Sequence, residues 1–344
     1  MTGLATEEDE LATTSGTIAV VNLQAQVDSL AARAHRAGSA QAAAASAVAH
    51  QAILIDLLTL RGHVLGRIAD YERAAELAER LARDAPDDGT ALLARARTRA
   101  TFHRFPEAMA DLDAAGRGGC DRATLNMERA AVLQAVGCYA DALVLHRTAA
   151  ERRPGFTALG ALAVLQAELG EVDEAEFLFA RARQGYRGVS PFPVASLDFR
   201  HGLMWLRQGD LRAARIWLDA ACRRVPAYAP ALGHLAEVDA TLGNQQAAID
   251  RLCPLAVSSD DPEYAATLAG VLRDAGHAQE ASRWRARAAA RYDELVLRHP
   301  EAFADHAAYF WHTVGGDRQK GRQLARRTRA MRQTARAYVL GRYS

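Results

Sequence analysis

The residues best suited to chemistry lie in the second half of the chain. Asp198 and His201 are three apart, and His234 and Glu237 repeat that spacing further on. Side chains at i and i+3 share a helical face. Two neighbouring helices could therefore offer Asp/His and His/Glu to a zinc- or iron-type ion, or use the same groups as acid and base. His299, Asp305, His306 and His312 follow. The competing reading is structural, since buried imidazoles and carboxylates are ordinarily satisfied by their neighbours. His306 stands two repeats from His234, about 20 Å if stacked helices are roughly 10 Å apart. No cofactor is expected; a divalent metal, or an unusual enzyme built on these four residues, is the alternative.

A second candidate is the basic end. From Asp317 to Ser344 there are nine Arg or Lys residues and one acid. Arg322, Arg326, Arg327, Arg329, Arg332 and Arg336 could meet phosphates or an acidic protein. Equally, they could solvate a terminal capping helix and complement its dipole. No phosphate-binding glycine loop, HExxH or GxSxG elbow occurs.

Composition bounds the rest. The 344 residues are 50% hydrophobic and carry a formal charge of +1, so a large core is available and no global field favours nucleic acid or membrane. Lys320 is the sole lysine, an arginine bias expected of a GC-rich, bacterial genome. Cys120, Cys138, Cys222 and Cys253 lack metal-site spacing and read as buried small apolar residues in a reducing cytoplasm. The apolar run 53–60 is too short to span a bilayer.

These groups must be positioned by helices, and the helices repeat. Gly137 enters a tight turn, with Ala142 five residues later. The same small residue recurs as Ala74, Ala108, Ala142, Ala175, Ala214, Ala248, Ala281 and Gly321, at steps of 34, 34, 33, 39, 34, 33 and 40. Twelve residues before each lie Gly62, Ala96, Ala130, Ala163, Gly202, Ala236, Ala269 and Tyr309. Five residues before each lies the turn, held by glycine in all units except Ala69 and His103. Antiparallel helices approach closely where both present small side chains, and glycine ends the first helix in a left-handed conformation. Pro86, Pro154 and Pro226 stop second helices.

A helix–turn–helix period of this length and pattern resembles the tetratricopeptide repeat family. The resemblance covers about residues 55–335. It implies an all-α solenoid, a right-handed superhelix of about eight repeats. Residues 1–16 read as a flexible tail and 17–54 as capping helices or a degenerate repeat, with Ala40 at its small position and Asp28 breaking the pattern. An inserted loop falls at 185–194, an irregular junction at 291–301 and a C-terminal tail at 336–344. The loop's Tyr186 and Phe192 could dock a partner or tuck back onto the solenoid.

In that family the first helix of each pair lines a concave groove. The resemblance places His63, Arg97, Met127, Gln134, Glu168, Phe199, Arg207, Glu237, Arg273, His306 and Phe310 there. The family's clamp for chaperone C-termini is absent, since its positions hold Thr59, His63, Ala94, Thr124 and Glu128. The expected function is a non-catalytic cytoplasmic scaffold or adaptor that binds a protein or peptide along the groove. The alternatives are the metal or enzyme site above, and a regulator contacting nucleic acid or an acidic partner through the basic end.

Overall fold

The computed structural model describes residues 11–36 and 42–331, and within them finds seventeen helices and no strand. α1 (Gly16–Arg36) and α2 (Ala42–Leu65) are followed by α3 (Ile68–Asp84), α4 (Gly89–Thr101), α5 (Phe105–Arg117), α6 (Arg122–Val136), α7 (Tyr139–Arg152), α8 (Phe156–Leu169) and α9 (Val172–Gln184). Then come α10 (Pro191–Gln208), α11 (Leu211–Arg224), α12 (Ala229–Thr241), α13 (Gln245–Ser258), α14 (Pro262–Asp274), α15 (Ala278–Arg298), α16 (Pro300–His312) and α17 (Arg318–Met331). Each even-numbered helix from α2 to α16 pairs with the odd one after it, giving eight helix pairs. Among the described residues no helix is long and apolar enough to cross a membrane.

The repeat register is that of the sequence. Ala74, Ala108, Ala142, Ala175, Ala214 and Ala248 are wholly buried, as are Ala130, Ala163 and Ala236 on the partner helices. Gly202 shows why the position stays small: a Cβ there would lie 2.9 Å from Cγ of Leu218 on α11. Glycine turns take left-handed backbone from Gly137 (φ 89°) to Gly316 (φ 77°), and His103 takes it without being glycine (φ 59°). The first pair differs from expectation, because its left-handed residue is Gly66 (φ 62°) rather than Ala69. Helix starts follow local chemistry: the Asp88, Asp121, Asp210 and Asp261 side chains accept amide hydrogen bonds at the N-termini of α4, α6, α11 and α14. In the last pair Tyr309 is exposed where the other pairs bury Gly or Ala.

First helices touch first helices in succession (α2–α4, α8–α10, α12–α14), so they lie on the inside of the curve. The coil is tight enough to close on itself. Ser259 donates its hydroxyl to the carbonyl of Gly66. Asp260 accepts from the amides of Ile68 (2.6 Å) and Ala69 (3.0 Å). Glu72 on α3 pairs with Arg298 (2.5 Å) and His299 (2.9 Å). Phe102 stacks on His299. The two ends of the solenoid thus meet along α2–α4 and α12–α16.

Two expectations change here, and one open alternative is decided. The described part of the expected tail, 11–15, is held: Thr14 N donates to the Val189 carbonyl at 2.8 Å, and Arg224 donates to Leu11 O and Thr13 Oγ1. The inserted loop tucks back, with the Tyr186 hydroxyl on Ser190 O, its ring on Phe156, and Phe192 packed against two core clusters. Of the four cysteines only Cys222 is buried, and Cys138 is exposed. At the 291–301 junction, α15 runs on to Arg298 and Pro300 opens α16. Residues 1–10, Ala40 and the 336–344 tail lie outside the described residues.

Candidate functional site

Closure creates a cavity of varied chemistry. It measures about 150 Å³ and lies between the C-terminal end of α2, the start of α3, and α12 and α14. α2 contributes Gly62 and His63, and α3 contributes Tyr71. α12 contributes Gly233 and His234 and, one turn on, Glu237. The N-terminal end of α14 supplies Asp261, Glu263, Tyr264 and Thr267.

Each group has a definable state. His63 Nε2 lies 2.7 Å from the Tyr228 hydroxyl. Burial, and then the charge of Arg200, pull the His63 imidazole down to about 4, so it is neutral at pH 7. His234 Nδ1 lies 2.9 Å from Glu237, whose other oxygen accepts from Thr267 at 3.3 Å. Asp261 uses one oxygen to cap the Glu263 amide at 2.9 Å. Burial, and then the adjoining carboxylate of Glu263, push Asp261 up to about 7. Burial likewise raises Tyr71 and Tyr264, so both stay protonated donors.

The groove residues named from the sequence divide into two groups. Arg97 bridges Glu128 (2.7 Å) and Asp56 (3.1 Å) on the flanking first helices α6 and α2. Glu168 and Arg207 pair across α8 and α10 at 3.5 Å. Met127 and Gln134 are half-buried, and Arg273 is exposed beside Asp274. Glu237 and His306 fall at the closure, His306 lying 3.7 Å from Glu263. His63, Phe199 and Phe310 depart from the expectation of an open groove. α2 meets α10 and α12 there, so Phe199 is buried against Tyr228 and Val64. Phe310 is 2% exposed, between Tyr292 and Trp311 in the last core cluster.

The candidate metal quartet is not assembled. Asp198 is buried and paired with Arg183 and Arg224. His201 is stacked between Phe179 and Trp217, and burial lowers it to about 3. His234 and Glu237 pair with each other at the closure cavity. Among the described residues no three His, Cys, Asp or Glu side chains converge on a point where an ion could sit. At the basic end, Arg322, Arg326 and Arg327 are exposed on α17. Lys320 is paired with Asp293 and lies over the Trp311 ring, while Arg332 and Arg336 fall outside the described residues. Sequence reasoning missed Tyr71, Asp261 and Tyr264. Its one available signal was Gly233, a glycine inside a helix, which marks a close approach.

No family model and no curated protein matches the chain. Solved structures do. A monomeric IFIT1 mutant with m7Gppp-AAAA superposes at a TM-score of 0.55 and 15% identity, over 83% of this chain and 71% of that one. The human IFIT1 dimer with PPP-AAAA gives 0.52 and 17%, over 83% and 72%. The APC/C hetero-tetramer Cut9–Hcn1 gives 0.50 and 14%, over 84% and 55%. IFIT1 and Cut9 are tetratricopeptide repeat proteins, and at these identities the likeness is one of fold. The chain is a tetratricopeptide-type solenoid.

Proposed function

We propose that this tetratricopeptide solenoid is a non-catalytic interaction scaffold that holds a protein segment of mixed charge against the inner wall between α4 and α10. The observation that carries the reading is the run of opposite charges on successive first helices. Asp56, Arg97 and Glu128 form one link and Glu168 with Arg207 the next. These pairs are partly exposed, so each contributes little to stability and can be exchanged for the charges of a partner at low cost.

The IFIT1 structures hold m7Gppp-AAAA and PPP-AAAA. Here Asp56, Glu128, Glu168 and Glu237 stand on the first helices, and carboxylates at that density disfavour a polyphosphate. One observation favours a second contact surface: Arg322, Arg326 and Arg327 are exposed on α17 without an ion-pair partner among the described residues. They suit an acidic partner.

The test is a peptide array probed with the purified protein. Binding to mixed-charge peptides should fall in Arg97→Glu and Arg207→Glu and persist in Arg147→Glu, on the second helix α7. Equal loss in all three, or in none, refutes the inner-wall reading. Loss confined to an Arg322/Arg326/Arg327→Glu triple variant moves the contact to α17.

A further inference from the structure

A second cavity, of about 210 Å³, lies between α2, the start of α10 and the link from α11 to α12. Leu60 and Val64 on α2 form one wall, and Val225 in the link forms another. Ser190, Phe192 and Pro193 form the third. These three close the 185–194 insertion, which falls within the 39-residue step from Ala175 to Ala214. Steps of 33 or 34 residues stack helix pairs elsewhere in the chain, so stacking does not require the insertion. Its Phe192 instead packs against both the α1–α4 and the α10–α12 core clusters. The insertion thus spans the space between α2 and α10 without filling it.

The lining is apolar except for four neutral groups. No Asp, Glu, Arg or Lys lines the cavity. Tyr228 is 2% exposed, and its hydroxyl lies 2.7 Å from His63 Nε2. Burial raises Tyr228 to about 12, with Ser196 beside the hydroxyl acting the other way, so it stays protonated. His63 is neutral at pH 7 for the reason given above. Ser190 precedes α10 at a position where serine ordinarily caps a helix, yet its side chain makes no capping bond. Hydroxyls and a neutral imidazole can both donate and accept. A charged ligand would be stripped of water with no counter-charge to meet it. An apolar cavity of about 150 Å³ takes up benzene, so the larger space here matches one ring with a substituent.

We propose that this cavity binds a neutral phenol-type ring, with Leu60, Val64, Phe192 and Val225 around the ring and the serine, tyrosine and histidine groups available to its hydroxyl. An occupant meets α2 and α10 together, across the apolar part of the closure. Asp56, Arg97, Glu128, Glu168 and Arg207 do not line the cavity, so the site is independent of the inner-wall reading.

The experiment is titration of the full chain, methyl-labelled at Leu and Val, with p-cresol, followed by NMR. Saturable shifts with a Kd at or below about 1 mM, largest at the methyl groups of Leu60, Val64 and Val225, are the expected result. Toluene, which lacks the hydroxyl, should bind about tenfold more weakly. Benzoate and benzylammonium should not bind at the same concentrations. N-acetyl-tyrosine methylamide separates the two sources of such a ring. Binding at least as tight as that of p-cresol identifies a partner's tyrosine, and weaker binding or none identifies a free phenol. Ser196→Leu adds bulk at a half-buried lining position and should weaken p-cresol binding at least about tenfold, with circular dichroism verifying the fold. If that variant does not fold, the wild-type methyl shifts decide alone. Absence of saturable p-cresol binding, toluene binding as tightly, shifts centred away from the three lining residues, or unchanged affinity in folded Ser196→Leu overturns the proposal.

Discussion

Asp260→Ala tests whether the solenoid is closed. α3 begins at Ile68, and its own N-cap residue, Arg67, provides no side-chain cap. Asp260, from the far end of the chain, does that work with hydrogen bonds of 2.6 and 3.0 Å to the first two amides, and Arg291 joins at 3.1 Å. Loss of a capping carboxylate costs about 0.5–2 kcal/mol. The ion pair with Arg291 adds at most about 1 kcal/mol because both side chains keep some contact with water. The expected loss is therefore about 2 kcal/mol in urea denaturation. Asp88→Ala is the matched control, since Asp88 also accepts two amide hydrogen bonds, at 2.8 and 3.0 Å from Thr90 and Ala91, but in the first turn of its own helix, α4. Both variants should lose similar stability. Only Asp260→Ala should lengthen the distance between spin labels on α3 and α14 and speed exchange at the Ile68 and Ala69 amides. A label distance and amide exchange identical to wild type in Asp260→Ala would refute the closure.

Three further outcomes follow from the packing. Ala142→Leu, at a wholly buried position, should cost about 1–3 kcal/mol by overpacking; a denaturation midpoint unchanged within error would mean the register is wrong. Gly209→Ala isolates backbone strain, because φ is 79° and a Cβ would meet nothing within 4 Å; about 1–2 kcal/mol is expected, and a neutral result contradicts the turn geometry. His201 is lowered to about 3 from 6.5 by burial and then by Arg183. The unfolded chain takes up that proton first, so stability should fall as pH drops from about 6.5 toward 3. His201→Phe, which keeps the stack on Phe179 and Trp217, should flatten that part of the curve; an unaltered pH profile by thermal unfolding would exclude His201 as its source.

The repeat was legible because its cause is local. Ala108, Ala142 and Ala175 sit where two helices approach within one unit, and that requirement returns every 33 or 34 residues. The turn glycines were legible for the same reason, and even the exception at His103 keeps the left-handed backbone. The candidate site was not legible. Whether His63 meets Tyr228 or Asp260 meets Ile68 depends on a small rotation per repeat summed over five or six units, and spacing carries no record of that sum. The same sum turned Phe199 from a groove residue into core. The metal quartet failed for a different reason: i, i+3 spacing puts two residues on a helical face but leaves open which way the face points. Asp198 faces Arg183 and Arg224, whereas His234 faces the closure.

The seam that closes the solenoid has two halves of different character. Where α2 meets α10 and α12 it is apolar, with Leu60 and Val64 packed on Phe199, Tyr228 and Phe192. Where α3 meets α14 and α15 it is polar, held by Ser259, Asp260, Glu72, Arg298 and His299. Apolar burial contributes about 25 cal/mol per Å² removed from water, whereas half-exposed ion pairs contribute about 0–1 kcal/mol each. The apolar half is thus held by burial, and the polar half by capping hydrogen bonds and ion pairs. The 150 Å³ cavity lies between the two halves. Opening and filling of the cavity are then linked by the same free energy, since whatever binds only the closed form shifts the solenoid toward closure by its own affinity.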